Sequence, residues 1–226
     1  MYNMKRIVLL SFIFIIVNSP LSIVHCENIV DVFTTMPDSI YPLLTAKNRH
    51  DMVDFYNNKM EAKVRNRLSD YARLDTLTNE YLHLTLSQAS EVTMRLLTTN
   101  DSTPIICLVQ TITKPIRDSR VKFYDTKWQR LTKVNLPVPV TADFFQPPLL
   151  SPHDGGGNGE GVDSLALAQR SIDDLRLVEV TVSPDEPIFT LTLSVDELAQ
   201  DEKKVARRYV APLRYRWTGS EFVPLR

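Results

Sequence analysis

Leu82-His-Leu-Thr-Leu-Ser87 and Phe189-Thr-Leu-Thr-Leu-Ser194 decide the fold. In each, an apolar residue alternates with a polar one, so an extended chain carries one dry face and one wet face. A helix would scatter the same residues around its circumference and leave no stripe to bury. Both segments therefore read as half-buried strands.

The alternation continues outward from the first segment. Val92, Met94 and Leu96 alternate with Thr93 and Arg95. Ile105 to Ile112 is apolar nearly throughout, as a central strand is, and follows the turn tract Asn100-Asp-Ser-Thr-Pro104. Val121 to Tyr124 and Trp128 to Leu131 form a hairpin through Asp125-Thr126-Lys127. Upstream, Met52, Tyr56, Met60 and Val64 recur every fourth residue, which predicts an amphipathic helix over 48–66 with Asn48 as its cap and Asp51 in its first turn.

Around the second segment, a short helix near 164–173 and a strand near 175–182 precede the strand at 188–194. Ser194-Val-Asp-Glu197 reads as a capping box. It opens a segment with Asp196, Glu197, Asp201 and Glu202 early and Lys203, Lys204, Arg207 and Arg208 late, which complements a helix dipole. Leu213, Tyr215 and Trp217 alternate with Arg214 and Arg216, turn at Thr218-Gly219 and return through Phe222 to Leu225, a terminal hairpin. The fold class is α+β, with antiparallel sheets and accompanying helices. The two strands that open this section look alike and suggest two similar sub-domains, although aligning their surroundings needs a gap of about fifteen residues. A single sheet or sandwich built from both halves is the alternative.

Between the halves, Pro137, Pro139, Pro147, Pro148 and Pro152 deny the backbone ladder hydrogen bonds, and five of the six glycines fall in 155–161. The domain reading is a signal peptide over 1–26, an N-terminal helix plus meander over 27–136, a Pro/Gly-rich linker or loop over 137–163, and a C-terminal α+β part over 164–226. The signal reading rests on Lys5 and Arg6 running into the apolar stretch Ile7 to Val17, which is too short to span a bilayer and is followed by Pro20. Cleavage near Cys26 or Glu27 is expected, leaving no membrane span in the mature chain. Lipidation of Cys26 is the rival reading, opposed by His25 where a small residue is usual, and an uncleaved anchor is a third.

Hydrophobic residues make up 43% and charged residues 23% of the 226, with a net charge of -1, so no field draws in nucleic acid. Cys107 lies inside an apolar run and has no cysteine but Cys26 to pair with, so no internal disulfide is expected in the mature chain. No cofactor is called for. Ser119-Arg-Val-Lys122 has the Ser-x-x-Lys spacing of serine acylases. On a strand, however, residues three apart face opposite ways, and no Lys-Thr-Gly partner exists. Asp154 to Asp163 alternates oxygen donors with glycine yet has Leu165 where a calcium loop needs a bidentate glutamate. His50, Asp51 and Asp54 place a histidine and a carboxylate four apart on a helix, but with only His83 and His153 elsewhere in the mature chain no third metal ligand can be named. Gly-x-Ser-x-Gly, His-Glu-x-x-His and Cys-x-x-Cys are all absent, and no glycine precedes residue 155 to cradle a phosphate.

The aromatics gather in the two hairpins, where core or cross-strand pairing is the first expectation. The second is a partner surface of Arg120, Tyr124, Trp128, Arg214, Arg216 and Trp217, residue types that dominate interface hot spots.

Met36-Pro-Asp-Ser-Ile-Tyr-Pro-Leu-Leu44, Arg49-His-Asp-Met-Val-Asp-Phe-Tyr56, Asp118-Ser-Arg-Val-Lys-Phe-Tyr-Asp-Thr-Lys-Trp128 and Tyr215-Arg-Trp-Thr-Gly219 together resemble an uncharacterised family of exported proteins from Bacteroides-type bacteria. The resemblance covers most of the mature chain. It implies a periplasmic or surface location and no known activity. It also implies O-glycosylation at Asp101-Ser102-Thr103 and Asp163-Ser164-Leu165. The functional expectation is a non-enzymatic envelope protein that binds another protein or a surface component. A small-ligand binder with a pocket between the halves and an unusual hydrolase are the alternatives.

Overall fold

The computed structural model describes residues 28–145, 170, 172, 176–196 and 198–225. Two short helices open it. Helix α1, Ile29–Thr35, is capped by the Asn28 side chain on Asp31 N. Helix α2, Ala46–Asn57, is shorter than the periodicity predicts and starts earlier. Thr45 is its N-cap, in a capping box with Asn48, which therefore sits inside the helix rather than before it. At the other end Lys59 takes a left-handed backbone (φ 58°), so the chain leaves the helix axis. Met60 is consequently solvent-exposed, and Val64 is buried from a strand instead.

Six strands then form a simple antiparallel meander: β1 Lys63–Arg65, β2 Tyr71–Leu77, β3 Tyr81–Ser87, β4 Ser90–Thr98, β5 Pro104–Ile112 and β6 Asp118–Tyr124. β1 and β2 fall where the sequence reading placed a helix end and no element. A second meander follows in a four-stranded sheet: β7 Val178–Val182, β8 Ile188–Leu193, β9 Leu213–Trp217 and β10 Phe222–Leu225. Helix α3, Gln200–Tyr209, separates β8 from β9. Its N-cap is Ala199, so Ser194 does not cap it; the Ser194 hydroxyl donates instead to Arg117 O at 2.6 Å. Glu197 of the expected capping box, nearly all of the helix expected near 164–173, and the Asp154–Asp163 loop lie outside the described residues. The return arm of the Val121–Leu131 hairpin is not a strand. Trp128 adopts φ 62°, and only an isolated bridge joins Tyr124 to Arg130.

The two sheets stack face to face. Leu82, Leu84, Leu86, Val92, Met94, Ile106 and Leu108 point to one side of the larger sheet, where Ile29, Val32, Phe33, Met52 and Val53 of the helices cover them. Tyr81, Leu97, Ile105, Cys107, Val109 and Phe123 point to the other side and pack against Val180, Val182, Phe189, Leu191, Leu193, Trp217 and Phe222. β5 is thus buried on both faces, which is why Ile105 to Val109 carries no polar residue. The result is a helix layer, a six-stranded sheet and a four-stranded sheet, with two cores.

Polar contacts fasten the sheets. Arg117 Nε donates to Glu179 at 2.6 Å and its Nη2 to Glu91 at 2.7 Å. At the opposite end of the interface, Trp217 Nε1 donates to Thr98 O at 2.8 Å, and Asn100 N to Gly219 O at 3.1 Å. Gly219 has φ +101°, and a Cβ there would lie 2.2 Å from Asn100 Oδ1, so the close approach of these two turns requires glycine.

Candidate functional site

β6 and β7 are edge strands of different sheets, lying side by side without forming a ladder. Side chains satisfy the exposed β7 amides instead. Asp118 Oδ1 accepts from Val178 N at 3.2 Å, and Ser119 Oγ accepts from Val180 N at 2.9 Å while pairing with Thr111 Oγ1 at 2.8 Å. This arrangement blunts a strand edge, and it holds the two sheets apart along one side.

Beyond β6 the chain turns on Asp125, whose Oδ1 accepts from Lys127 N and Gln129 N. It returns as an extended segment through Pro137 and Pro139. Neither proline has an N–H to add to β6, so residues 135–139 stand off the sheet as a wall, tied by the Arg176 guanidinium to Pro139 O at 3.0 Å. Between wall and sheets lies a cleft of about 360 Å³. Val121, Phe123, Val178, Val180 and Leu191 supply its apolar surface from both sheets, Leu136 to Pro139 supply the opposite side, and Asp118, Ser119, Asn135 and Arg176 are its polar lining. A concave apolar space of this size with a few convergent polar groups suits a small organic ligand.

The six residues considered as a partner surface do not come together. Tyr124, Trp128 and Trp217 are buried, because each indole N–H finds a backbone carbonyl inside, Trp128 on Val32 O at 3.2 Å and Trp217 on Thr98 O. Tyr124 and Trp128 pack against each other with centroids 5.3 Å apart, in the helix-side core. Trp217 packs at a tilt against Phe222 in the other core. Arg120 and Arg214 are exposed, and Arg216 lies 3.4 Å from Glu186. A different aromatic is available to solvent: Tyr71 on β2 is 48% exposed, with Lys63 Nζ 4.5 Å and the Arg65 guanidinium 5.5 Å from its ring.

Ser119 is held by the two hydrogen bonds above and does not meet Lys122. His50 and Asp54 are exposed on α2, His83 bonds Thr93 Oγ1 at 3.0 Å on β3, and His153 lies outside the described residues. Among the described residues no three histidine, cysteine or acidic side chains converge. No described helix is long and apolar enough to cross a membrane. Ser102 and Thr103 occupy an exposed turn, while Ser164 and Cys26 lie outside the described residues. Cys107 is fully buried, and burial pushes its thiol well above the ordinary range.

Two buried arginines were not foreseen. Arg49 on α2 reaches Asp38, Leu44 O and Met36 O and so clamps the loop between the helices. Arg95 occupies a polar position in the alternation of β4, yet it is 3% exposed, because the second sheet covers that face. Nothing in the local pattern announces either. The cleft wall was read as linker; the one signal it offered is apolar residues interleaved with prolines at 136–140.

No curated protein matches the chain. Among solved structures, a domain of an uncharacterized protein from Porphyromonas gingivalis W83 is similar, with a TM-score of 0.69 and 24% sequence identity over 87% of this chain and 97% of that one. At that identity the likeness establishes the fold alone. A family model described as a protein of unknown function, DUF3256, matches residues 21–222, and over that span the chain belongs to the DUF3256 family.

Proposed function

We propose that this is an exported envelope protein that binds rather than transforms its ligand, and that a small apolar or amphipathic molecule occupies the cleft between β6, β7 and the 135–139 wall. The observation that carries the reading is the cleft itself: about 360 Å³, apolar surface contributed by both sheets, and Arg176 among the lining residues to meet an acidic head group. Ser119 and Asp118 bond the β7 amides, which leaves recognition to shape, to Arg176 and to Asn135. Export is supported by Lys5 and Arg6 before the apolar run Ile7 to Val17.

The test uses 1-anilinonaphthalene-8-sulfonate, an amphipathic anion that fluoresces when desolvated. Saturable enhancement by the native protein is expected. Val121→Trp should abolish it by filling the cleft, with an unchanged melting temperature, and Arg176→Gln, which also gives up the bond to Pro139 O, should weaken it about tenfold. Enhancement that both variants leave intact sinks the proposal. Recovery of a mature N-terminus after residue 26, without added lipid mass, tests export and separates free from lipidated forms.

A second reading is the binding of another protein or surface component, favoured by the Tyr71 face with its flanking Lys63 and Arg65 and by Leu68, 70% exposed in the next turn. Crosslinking in cells from a photoreactive residue at position 71 tests it. A single recurrent envelope partner supports docking there, and only diffuse products refute it.

A further inference from the structure

Strand β6 carries open rungs where it faces the cleft. In a regular strand the N–H and C=O of one residue point to the same edge, and successive residues alternate between the two edges. Phe123 O accepts from Leu131 N at 2.9 Å, on the side of β6 away from β5. β5 and β6 pair without a register shift, so Val121 and Ser119 turn their N–H and C=O to that same outer edge. The ladder that Leu131 begins would continue with residue 133 on Val121 and residue 135 on Ser119. The chain instead bends at 132–133 and runs on through Pro137 and Pro139. Among the described residues, no backbone hydrogen bond joins 132–139 to Ser119 or Val121. The open stretch is bounded, because Phe123 O is taken at one end and Arg117 O accepts from the Ser194 hydroxyl at the other. Ser119 and Val121 are half-buried, and both line the cleft.

An unpaired strand edge in an apolar cleft recognises an extended peptide, whose main chain supplies the missing rungs while alternate side chains enter the space beside it. The spacing sets the length. Residues facing Ser119 and Val121 are two apart, so three residues, about 7 Å of strand, make both rungs and about four hydrogen bonds. Directly opposed residues share a face of the sheet. The first and third peptide residues therefore point with the Ser119 side chain, which reaches Val180 N of the second sheet, and meet Val178, Val180 and Leu191. Those two residues should be apolar. The middle one points the opposite way and is free to be polar. Antiparallel addition puts the peptide's C terminus at the Asp118 end of β6. Arg176 lines the cleft there, two residues before Val178, whose N–H bonds Asp118. Pro137 and Pro139 have no N–H with which to extend the ladder, so the added strand pairs along one edge only.

We propose that the cleft takes an extended peptide of apolar-x-apolar pattern by strand addition to β6. This rests on the reading that the cleft is the ligand site, and it names the chemistry of the occupant.

The probe is acetyl-Val-Thr-Val with a free carboxylate, titrated to about 10 mM into ¹⁵N-labelled protein. Two analogues accompany it, one N-methylated at both valines and one at the threonine alone. The parent peptide should shift the Val121 and Ser119 amide resonances and displace 1-anilinonaphthalene-8-sulfonate. Methylation at the valines removes the donors that face β6 and should weaken binding at least about tenfold. Methylation at the threonine, whose N–H points away, should change it less than about threefold. Val121→Pro removes a donor that no ladder bond uses and should weaken the parent peptide about tenfold where the variant folds; where it does not, the methylated pair decides. Dye binding without a peptide-induced shift at Val121, or equal affinity for the three peptides, overturns strand addition while leaving the cleft a ligand site. Failure of dye and peptides alike overturns both readings.

Discussion

Trp128 distinguishes a core residue from a partner hot spot by magnitude alone. The residue is 7% exposed, its ring packs at a tilt against Tyr124, and its indole N–H donates to Val32 O, joining the turn after β6 to helix α1. Burying a tryptophan removes roughly 200 Å² from water, which at about 25 cal/mol per Å² is ~5 kcal/mol as an upper bound. Trp128→Ala should therefore destabilise the protein by about 4 kcal/mol, within the range for large aromatic truncations. Trp128→Phe keeps most of the apolar area but leaves Val32 O with only a long 3.5 Å bond from Thr35 Oγ1, so about 1 to 2 kcal/mol is expected. The left-handed backbone at this position (φ 62°) is shared by any non-glycine replacement. Trp128→Gly should thus recover about 1 kcal/mol relative to Trp128→Ala despite glycine's greater freedom when unfolded. Urea unfolding followed by circular dichroism reads these differences. With a slope of about 2 kcal/mol per molar, the alanine variant should lose about 2 M in its midpoint. A midpoint within about 0.5 M of the native protein would refute the core placement, since that is the behaviour of a surface site.

Three further outcomes follow from the interface between the sheets. Gly219→Ala should cost about 2 kcal/mol, from its positive φ and from the close approach to Asn100; adding Asn100→Ala should recover part of this in thermal unfolding, and no recovery would mean the backbone alone is responsible. Arg117→Gln removes bonds to Glu91 and Glu179, but all three side chains are partly exposed, so about 1 to 2 kcal/mol is expected after screening. A double-mutant cycle with Glu91→Gln should be non-additive, and strict additivity would show the bridge to be idle. Burial holds the Cys107 thiol protonated in the fold where the unfolded chain would ionise near pH 8.5, so the folded state keeps a proton that the unfolded state releases. Stability should therefore be full below that pH and fall above it by up to about 1.4 kcal/mol per pH unit. The raised Tyr41 and Tyr81 hydroxyls, both shifted chiefly by burial, add to the fall above about pH 10. Cys107→Ala should flatten the slope of the urea midpoint between about pH 8.5 and 10. An unchanged slope would place the thiol in contact with solvent.

Strand positions were legible where alternation was strict. Leu82 to Leu86, Val92 to Leu96 and Phe189 to Leu193 each present one apolar phase, and each is a strand with that phase inward. Helix α2 was overdrawn because Met60 and Val64 happened to stay in its period, although Lys59 turns the chain away before either. Strand β2 went unread because Asp75 interrupts its alternation at a register shift, where its carboxylate accepts from Thr85 N in place of a ladder partner. The sequence left core and partner surface both open for the hairpin aromatics for a related reason. Aromatics in a hairpin look the same whether they face a core or a solvent, and the carbonyls that receive the Trp128 and Trp217 N–H groups come from residues 96 and 119 positions away in the chain.

The sequence by itself determined most of the antiparallel strands, the cores of helices α2 and α3, the burial of Cys107 and the extended backbone at Pro137 and Pro139, because each depends on periodicity or dihedral restriction within a few residues. Only the tertiary structure decided that the two sheets stack, that Arg95 is buried though it stands in the polar phase of its strand, and that the proline segment stands off β6 to leave a cleft. Alternation says that two faces of a strand differ; it does not say what covers the second face. That depends on chain far away, and here the covering sheet is drawn from residues 178–225.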